Sequence, residues 1–186
     1  MARLALIFAR VFSLEATAQT AAELAPGVHW LPGRFVAGAQ PDGNTVLFDG
    51  SAGLLVFDSG RHARHTQQII DYAKARELPI AAIVNSHWHL DHVGGNAMLR
   101  KAFPNAHVYA SVAIEDAMHG FLAKYRAQLE GAIGQAADKP AKQASFREAI
   151  AWIAAGPALS PNEPVPTTLI TSSAGTPSPI MRMPLA

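Results

Sequence analysis

Ser86-His87-Trp88-His89-Leu90-Asp91-His92 packs four metal-ligand side chains into six residues. Histidine and aspartate gain little from burial in a core, so a run this dense demands a fold that gathers it around one point. In an extended segment side chains alternate, so His87 and His89 point the same way and can grip one ion. Asp91 and His92 follow where the chain turns towards a helix, and can reach a neighbouring position. Neutral imidazoles and a carboxylate are what Zn²⁺ accepts, at roughly 2.0–2.2 Å. The competing reading is a polar loop, or a helix cap in which Asp91 binds backbone amides. Cysteine is absent, which excludes a thiolate zinc site, a disulfide framework and a cysteine nucleophile.

The residues before the cluster read as strands joined by turns. Gly27 to Leu31 precedes Pro32-Gly33, and Pro41-Asp42-Gly43-Asn44 leads into Thr45-Val46-Leu47-Phe48. Asp49-Gly50 then turns into Gly53 to Asp58, so the two apolar runs predict a hairpin. The second run is almost continuously apolar and is expected to be buried on both faces. A helix is expected over residues 63–77, with Ile69, Tyr72 and Ala73 on one face, and a strand over Ile80 to Val84. Strand, helix and strand make a crossover with a parallel pair. The ligand cluster then lies at the carboxyl end of that strand, where open α/β sheets place their sites. Downstream, Gly94-Gly95-Asn96 opens a helix to about Phe103, and Val108-Tyr109-Ala110 forms a short strand. The two glycines are read as allowing close packing or an unusual backbone angle. A long helix covers 112–130 with the stripe Ala117, Phe121, Leu122, Tyr125 and Leu129. Another ends at Gly156-Pro157.

The six residues His87-Trp88-His89-Leu90-Asp91-His92 match in full the His-x-His-x-Asp-His signature of the metallo-β-lactamase superfamily, which this sequence resembles over roughly residues 27–130. The strand end Leu55-Val56-Phe57-Asp58-Ser59-Gly60 resembles that family's Asp-Thr/Ser-Gly element, and the Gly-Gly-Asn helix start also fits. The resemblance implies an α/β fold (α+β in some schemes), the αββα sandwich, with mainly its N-terminal half present. It implies Zn²⁺ as cofactor, one ion or two, with His87 and His89 on the first and Asp91 and His92 on the second. Asp91 becomes the catalytic residue, holding the water that attacks as a metal-bound hydroxide on a carbonyl or ester-type bond. Asp58 becomes an outer carboxylate that orients the ligand loop, against the alternative that it caps the helix starting at 63. Trp88 and Leu90 are expected to pack.

The family's second half supplies a further His, a bridging Asp and a last His. Here no histidine follows His119, and residues 157–186 contain no Asp. His62, His65, His107 and His119 are read as surface or core-edge residues, not ligands. The expectation is a truncated domain over 22–156, followed by a Pro/Ser/Thr-rich tail over 157–186 in which residues 167–171 could form a strand. Two further readings stay open beside a hydrolase: an inactive metal-binding protein, and a subunit that completes its site from a partner.

Residues 1–18 carry Arg3, an apolar stretch and Ala16-Thr17-Ala18, the pattern of a signal peptide and of a periplasmic or secreted protein. Arg10 and Glu15 depart from that pattern. Charged residues are 16% of the chain and formal net charge is +1. No basic run exists, which argues against nucleic acid as a partner. No stretch is long enough to predict a membrane span. The expected partner is a small-molecule substrate, together with self-association through an exposed sheet edge and apolar face.

Overall fold

The alternation of Thr45-Val46-Leu47-Phe48 against Gly53-Leu54-Leu55-Val56-Phe57 organises the sheet. A computed structural model of the chain describes residues 21–35, 40–111, 113–156 and 158–160. Its six-stranded sheet runs in chain order: β1 (Ala22–Ala25), β2 (Val28–Leu31), β3 (Thr45–Gly50), β4 (Gly53–Phe57), β5 (Ile80–Val84) and β6 (His107–Tyr109). β1 to β4 pair antiparallel, and β5 and β6 add in parallel. The hairpin forms as expected, but its turn is Ser51-Ala52, because Gly50 still pairs with Gly53. Asp49 therefore stays in the strand opposite Leu54, and its carboxylate accepts a hydrogen bond from Arg76 at 2.8 Å. β1 was not expected from its sequence.

Helix α1 (Ala63–Ala75) is the crossover between β4 and β5; α2 (Leu90–Val93) and α3 (Asn96–Ala102) connect β5 to β6. Leu31, Leu47, Leu54, Val56, Ile83 and Val108 form one face of the sheet and pack with Ile69, Ile70 and Ala73 of α1 and Leu99 of α3. Burial of such side chains is worth about 1.5–3 kcal/mol each, so this layer dominates the stability of the described domain. The opposite face carries Trp30, Phe48 and Phe57, each more than a third exposed. The expectation that β4 is buried on both faces is therefore corrected. Both α1 and α3 join the core on one face, which leaves Leu55 half-buried and Phe57 exposed.

The expected long helix runs from α4 (Ala113–Ala117) through a π-helical turn (Met118–Leu122) into α5 (Ala123–Ala132). A π turn holds one residue more than an α turn and shifts the faces beyond it. Leu122 and Leu129 are buried, whereas Phe121 is 57% exposed, which corrects its place in the apolar stripe. Helix α6 (Pro140–Ala155) packs Ala149 beside Leu129 and Leu90. Its Trp152 indole donates to the carbonyl of Val93, which ties α6 to α2. Beyond α6, Leu159 packs on the core and the Ser160 hydroxyl accepts the amide of Val108. The expected signal peptide and the strand over 167–171 lie outside the described residues. Among the described residues no helix is long and apolar enough to cross a membrane.

Candidate functional site

The ligand segment leaves β5 at Val84 and re-enters regular structure at Leu90. Residues 86–88 bend instead of running extended, so simple alternation does not set the directions of His87 and His89. A carboxylate from the neighbouring strand end sets His87, through Ser86, and His92, while His89 is held by His87. Asp58, 4% exposed, accepts the Ser86 amide at 2.8 Å, the Ser86 hydroxyl at 2.7 Å and His92 Nδ1 at 2.7 Å. The alternative in which Asp58 caps α1 is not what the structure shows. Helix α1 has no side-chain cap; the carboxylate beside its start is Asp42, which accepts the backbone amides of Arg61 and His62 just before the helix at 2.8 Å each.

Those contacts decide the tautomers. The Ser86 hydroxyl has one proton and donates it to Asp58, so it accepts from His87 Nδ1 at 2.9 Å. His87 Nε2 is then the lone-pair nitrogen, and it receives the Nδ1 proton of His89 at 3.0 Å. The rings confirm how tightly the segment is drawn together: His87 lies 4.6 Å from His89 and 4.1 Å from His92, centroid to centroid. Asp91 Oδ2 stands 3.2 Å from His92 Nε2. Burial, with the nearby His92 and His89 rings, lowers the pKa of His87 and keeps it neutral. The hydrogen bond to Asp58 raises that of His92 above the ordinary histidine value.

The four expected ligands are thus brought together, and their chemistry is that of a zinc donor set: imidazole nitrogens with their far sides hydrogen-bonded, and one carboxylate. Among the described residues no three His, Asp or Glu side chains are set out as a metal cage. The donors pair with one another, His87 with His89 and His92 with Asp91. Asp91 lies in the first turn of α2 and His92 in its last.

A buried polar lattice lies beneath. The His92 carbonyl accepts the Ser59 amide at 2.8 Å and the Asn85 side-chain amide at 3.0 Å. Asn96, fully buried, joins Ser59 at 2.7 Å and Asn85 at 2.8 Å. The glycines of the following turn have ordinary negative φ angles, so their role is close approach. A Cβ on Gly95 would stand 2.3 Å from the Ser59 carbonyl oxygen. On the other side, the amide of Gly43 donates to the Asp91 carbonyl at 3.0 Å.

Trp88 packs edge-on to His89 and against Phe121 at 5.2 Å, as expected of a packing residue, and Leu90 is buried. Two clefts flank the cluster. One, of about 320 Å³, is lined by Arg61, Trp88, His89, Asp91, Phe121 and Tyr125, among others. The other, of about 210 Å³, is lined by Ser86, His87, Trp88, Ser111 and Ile114, among others. Of the remaining histidines, His107 and His119 are exposed and His62 bonds the Gln40 carbonyl. His65 departs from the sequence reading, being 2% exposed. Ser86, Asn85, Asn96 and Thr45 carry no signal of a site role in the sequence, and His65 is legible there only as a histidine that is not a ligand, because the approach of β3, β4 and α1 to the ligand loop is what gives them partners.

Comparison with known proteins finds that the family profile described as Metallo-beta-lactamase superfamily matches residues 39–175. An atrochrysone carboxyl ACP thioesterase of Passalora fulva is 35% identical over 80 residues, 42% of this chain and 23% of its own length. A hydroxyacylglutathione hydrolase of Gloeobacter violaceus is 42% identical over 65 residues, 30% of this chain and 26% of its own. The chain thus spans about a quarter of the length of these curated relatives. Among solved structures, a metallo-beta-lactamase from Cronobacter sakazakii aligns at 29% identity and a TM-score of 0.42, covering 53% of this chain and 36% of that one. The FIM-1 metallo-beta-lactamase from Pseudomonas aeruginosa, in its mono-zinc form, aligns at 25% identity and 0.44, covering 53% and 44%.

Proposed function

The chain belongs to the metallo-beta-lactamase superfamily, and on that premise we propose that it is a zinc-dependent hydrolase of a carbonyl or ester-type bond in a small-molecule substrate. His87, His89, Asp91 and His92 are the residues that would hold the metal. The observation that carries this reading is the fixing of His87 and His92 by Asp58, directly or through Ser86. Holding the Nδ1 protons of both rings presents both Nε2 atoms as the coordinating positions. A bound zinc ion would supply Lewis acidity for activating water and polarising the carbonyl oxygen. Asp91 holds the attacking water and takes its proton; the bond to the leaving group breaks, and the proton passes to that group. Two curated relatives are named as a thioesterase and a hydroxyacylglutathione hydrolase, so an acyl–sulfur bond is the first substrate class to try.

The test is hydrolysis of a chromogenic thioester by the zinc-loaded chain and by its Asp91→Ala variant. The variant should lose about 10²–10⁴-fold in rate, the usual contribution of a positioned proton-transfer group. Turnover that survives Asp91→Ala overturns the assignment.

A second reading is a metal-binding protein without turnover, or a subunit whose site is completed by another chain. It is favoured by the pairing of donors with each other, His87 with His89 and His92 with Asp91. Zinc uptake without hydrolysis would support it. Export to a periplasm or beyond remains part of the proposal through Arg3 and Ala16-Thr17-Ala18, and N-terminal sequencing of the protein recovered from its host would test it.

A further inference from the structure

We propose that His65 and Thr45 are positioning residues for the ligand loop, acting through the backbone of Asp58; this rests on the hydrolase reading for its functional meaning. His65 lies in the first turn of α1 and Thr45 opens β3, and both are buried. Thr45 Oγ1 stands 2.9 Å from the Asp58 carbonyl oxygen and 2.8 Å from His65 Nε2. A carbonyl only accepts, so the hydroxyl donates to Asp58 and must receive its other bond from a proton on His65 Nε2.

One observation supports that tautomer, and a second supports a neutral ring. His65 Nδ1 is buried without a hydrogen-bond partner, tolerable for a lone pair but costly for an orphaned N–H. Burial also lowers the pKa of His65, against a smaller upward pull from Asp42, and so favours the neutral ring. A histidine as buried as His65 is expensive to desolvate. The bond it donates to Thr45 offsets part of that cost.

The receiving end of the relay is a strained residue. Asp58 has φ of +62°, the left-handed region that non-glycine residues visit seldom. Every polar group of Asp58 is engaged: its amide by the Val84 carbonyl at 2.9 Å, its carbonyl by Thr45, and its carboxylate by Ser86 and His92. Fixing the carbonyl fixes the peptide plane beyond Asp58, and with it the direction in which the carboxylate leaves the strand. Gly60, at φ of +74°, leaves the space the imidazole fills, since a Cβ there would stand 2.3 Å from His65 Cδ2. The chain of contacts runs His65 to Thr45 to Asp58, and from there to His92 directly and to His87 through Ser86.

The experiment compares Thr45→Val, which removes the hydroxyl at nearly constant volume, with Thr45→Ser, which restores it. Hydrogen exchange of the Ser86 amide is followed in the zinc-free protein, relative to the core amide of Leu47. Zinc affinity is measured by competition with a chelator. Thr45→Val should speed Ser86 exchange about tenfold over Leu47 and weaken zinc binding about tenfold; Thr45→Ser should restore both. Unchanged relative exchange in Thr45→Val, or a Thr45→Ser variant that behaves like it, overturns the relay. If the wild-type chain takes up no zinc, the hydrolase reading fails while Ser86 exchange still decides the relay. Should Thr45→Val not fold, the nitrogen-15 shifts of wild-type His65 decide. A protonated Nε2 with a bare Nδ1 supports the proposal, and the opposite tautomer overturns it.

Discussion

His92 Nδ1 lies 2.7 Å from Asp58 Oδ2, and this contact determines which nitrogen of His92 is turned towards Asp91. The carboxylate comes from the end of β4 and the imidazole from the end of α2, so strand pairing and helix docking jointly set the geometry of the cluster. The same carboxylate reaches His87 through Ser86. One residue outside the ligand run therefore governs two within it.

Replacing Asp58 by Asn tests that dependence. Asparagine tolerates the left-handed backbone and keeps the volume, but has lost the charge and the capacity to accept on both arms. Zinc affinity, measured by chelator competition, should fall about 10–100-fold. Stability should change little by comparison. Affinity equal to the wild type would remove Asp58 from the account.

Gly95→Ala should destabilise the fold by about 1–3 kcal/mol, the range for forcing extra volume into a packed site. The added Cβ would stand 2.3 Å from the Ser59 carbonyl oxygen and 2.5 Å from Thr66 Oγ1. The turn carrying the ligands cannot then approach the end of β4. Urea denaturation of the zinc-free protein reads the cost; an unchanged midpoint would show that the turn can move aside.

The ion pair of Asp49 and Arg76 predicts a signed pH dependence. The hydrogen bond from Arg76 holds the Asp49 carboxyl below its ordinary value of 3.8. Its folded pKa is thus lower than its unfolded one. The stabilisation is fully present above the unfolded pKa and is lost as pH falls through the folded one. Arg76→Gln should therefore cost stability at neutral pH, and the gap from wild type should close below about pH 4. Both side chains are partly exposed, so the neutral-pH cost should stay at or below about 1 kcal/mol. A gap that persists in acid would mean that Arg76 acts by packing alone.

Exposed Trp30, Phe48 and Phe57 on one face of the sheet predict self-association of this chain. Sedimentation velocity should show a concentration-dependent rise in mass that the double variant Phe48→Ser, Phe57→Ser reduces. A wild-type chain that stays monomeric at high concentration would contradict this.

Much of the framework is legible in the residues. The β-branched run Ile80 to Val84 and the dense ligand cluster carry local signals, and both sit where those signals put them. Ala22-Glu23-Leu24-Ala25 holds no β-branched residue, and its strand comes only from pairing with β2. Phe121 satisfies the helical spacing, yet it lies exposed within a π turn, and a spacing rule that assumes uniform α geometry cannot register that turn. β4 reads as doubly buried because its apolar residues run together, whereas burial depends on what packs against each face. Ser86, Thr45 and His65 are invisible as site residues for a similar reason. Each acquires its role from a partner 13 to 28 positions away, and hydroxyl and imidazole groups carry no local pattern that names such a partner.

The most direct measurement is zinc binding by the metal-free chain, followed with a chromophoric chelator, for the wild type and for the double variant His87→Ala, His89→Ala. At least one tightly held zinc per wild-type chain is expected, with a loss of affinity of more than about 100-fold in the double variant, since both would be primary ligands. A wild-type chain that takes up no zinc, or a double variant that binds as tightly as the wild type, would contradict this expectation.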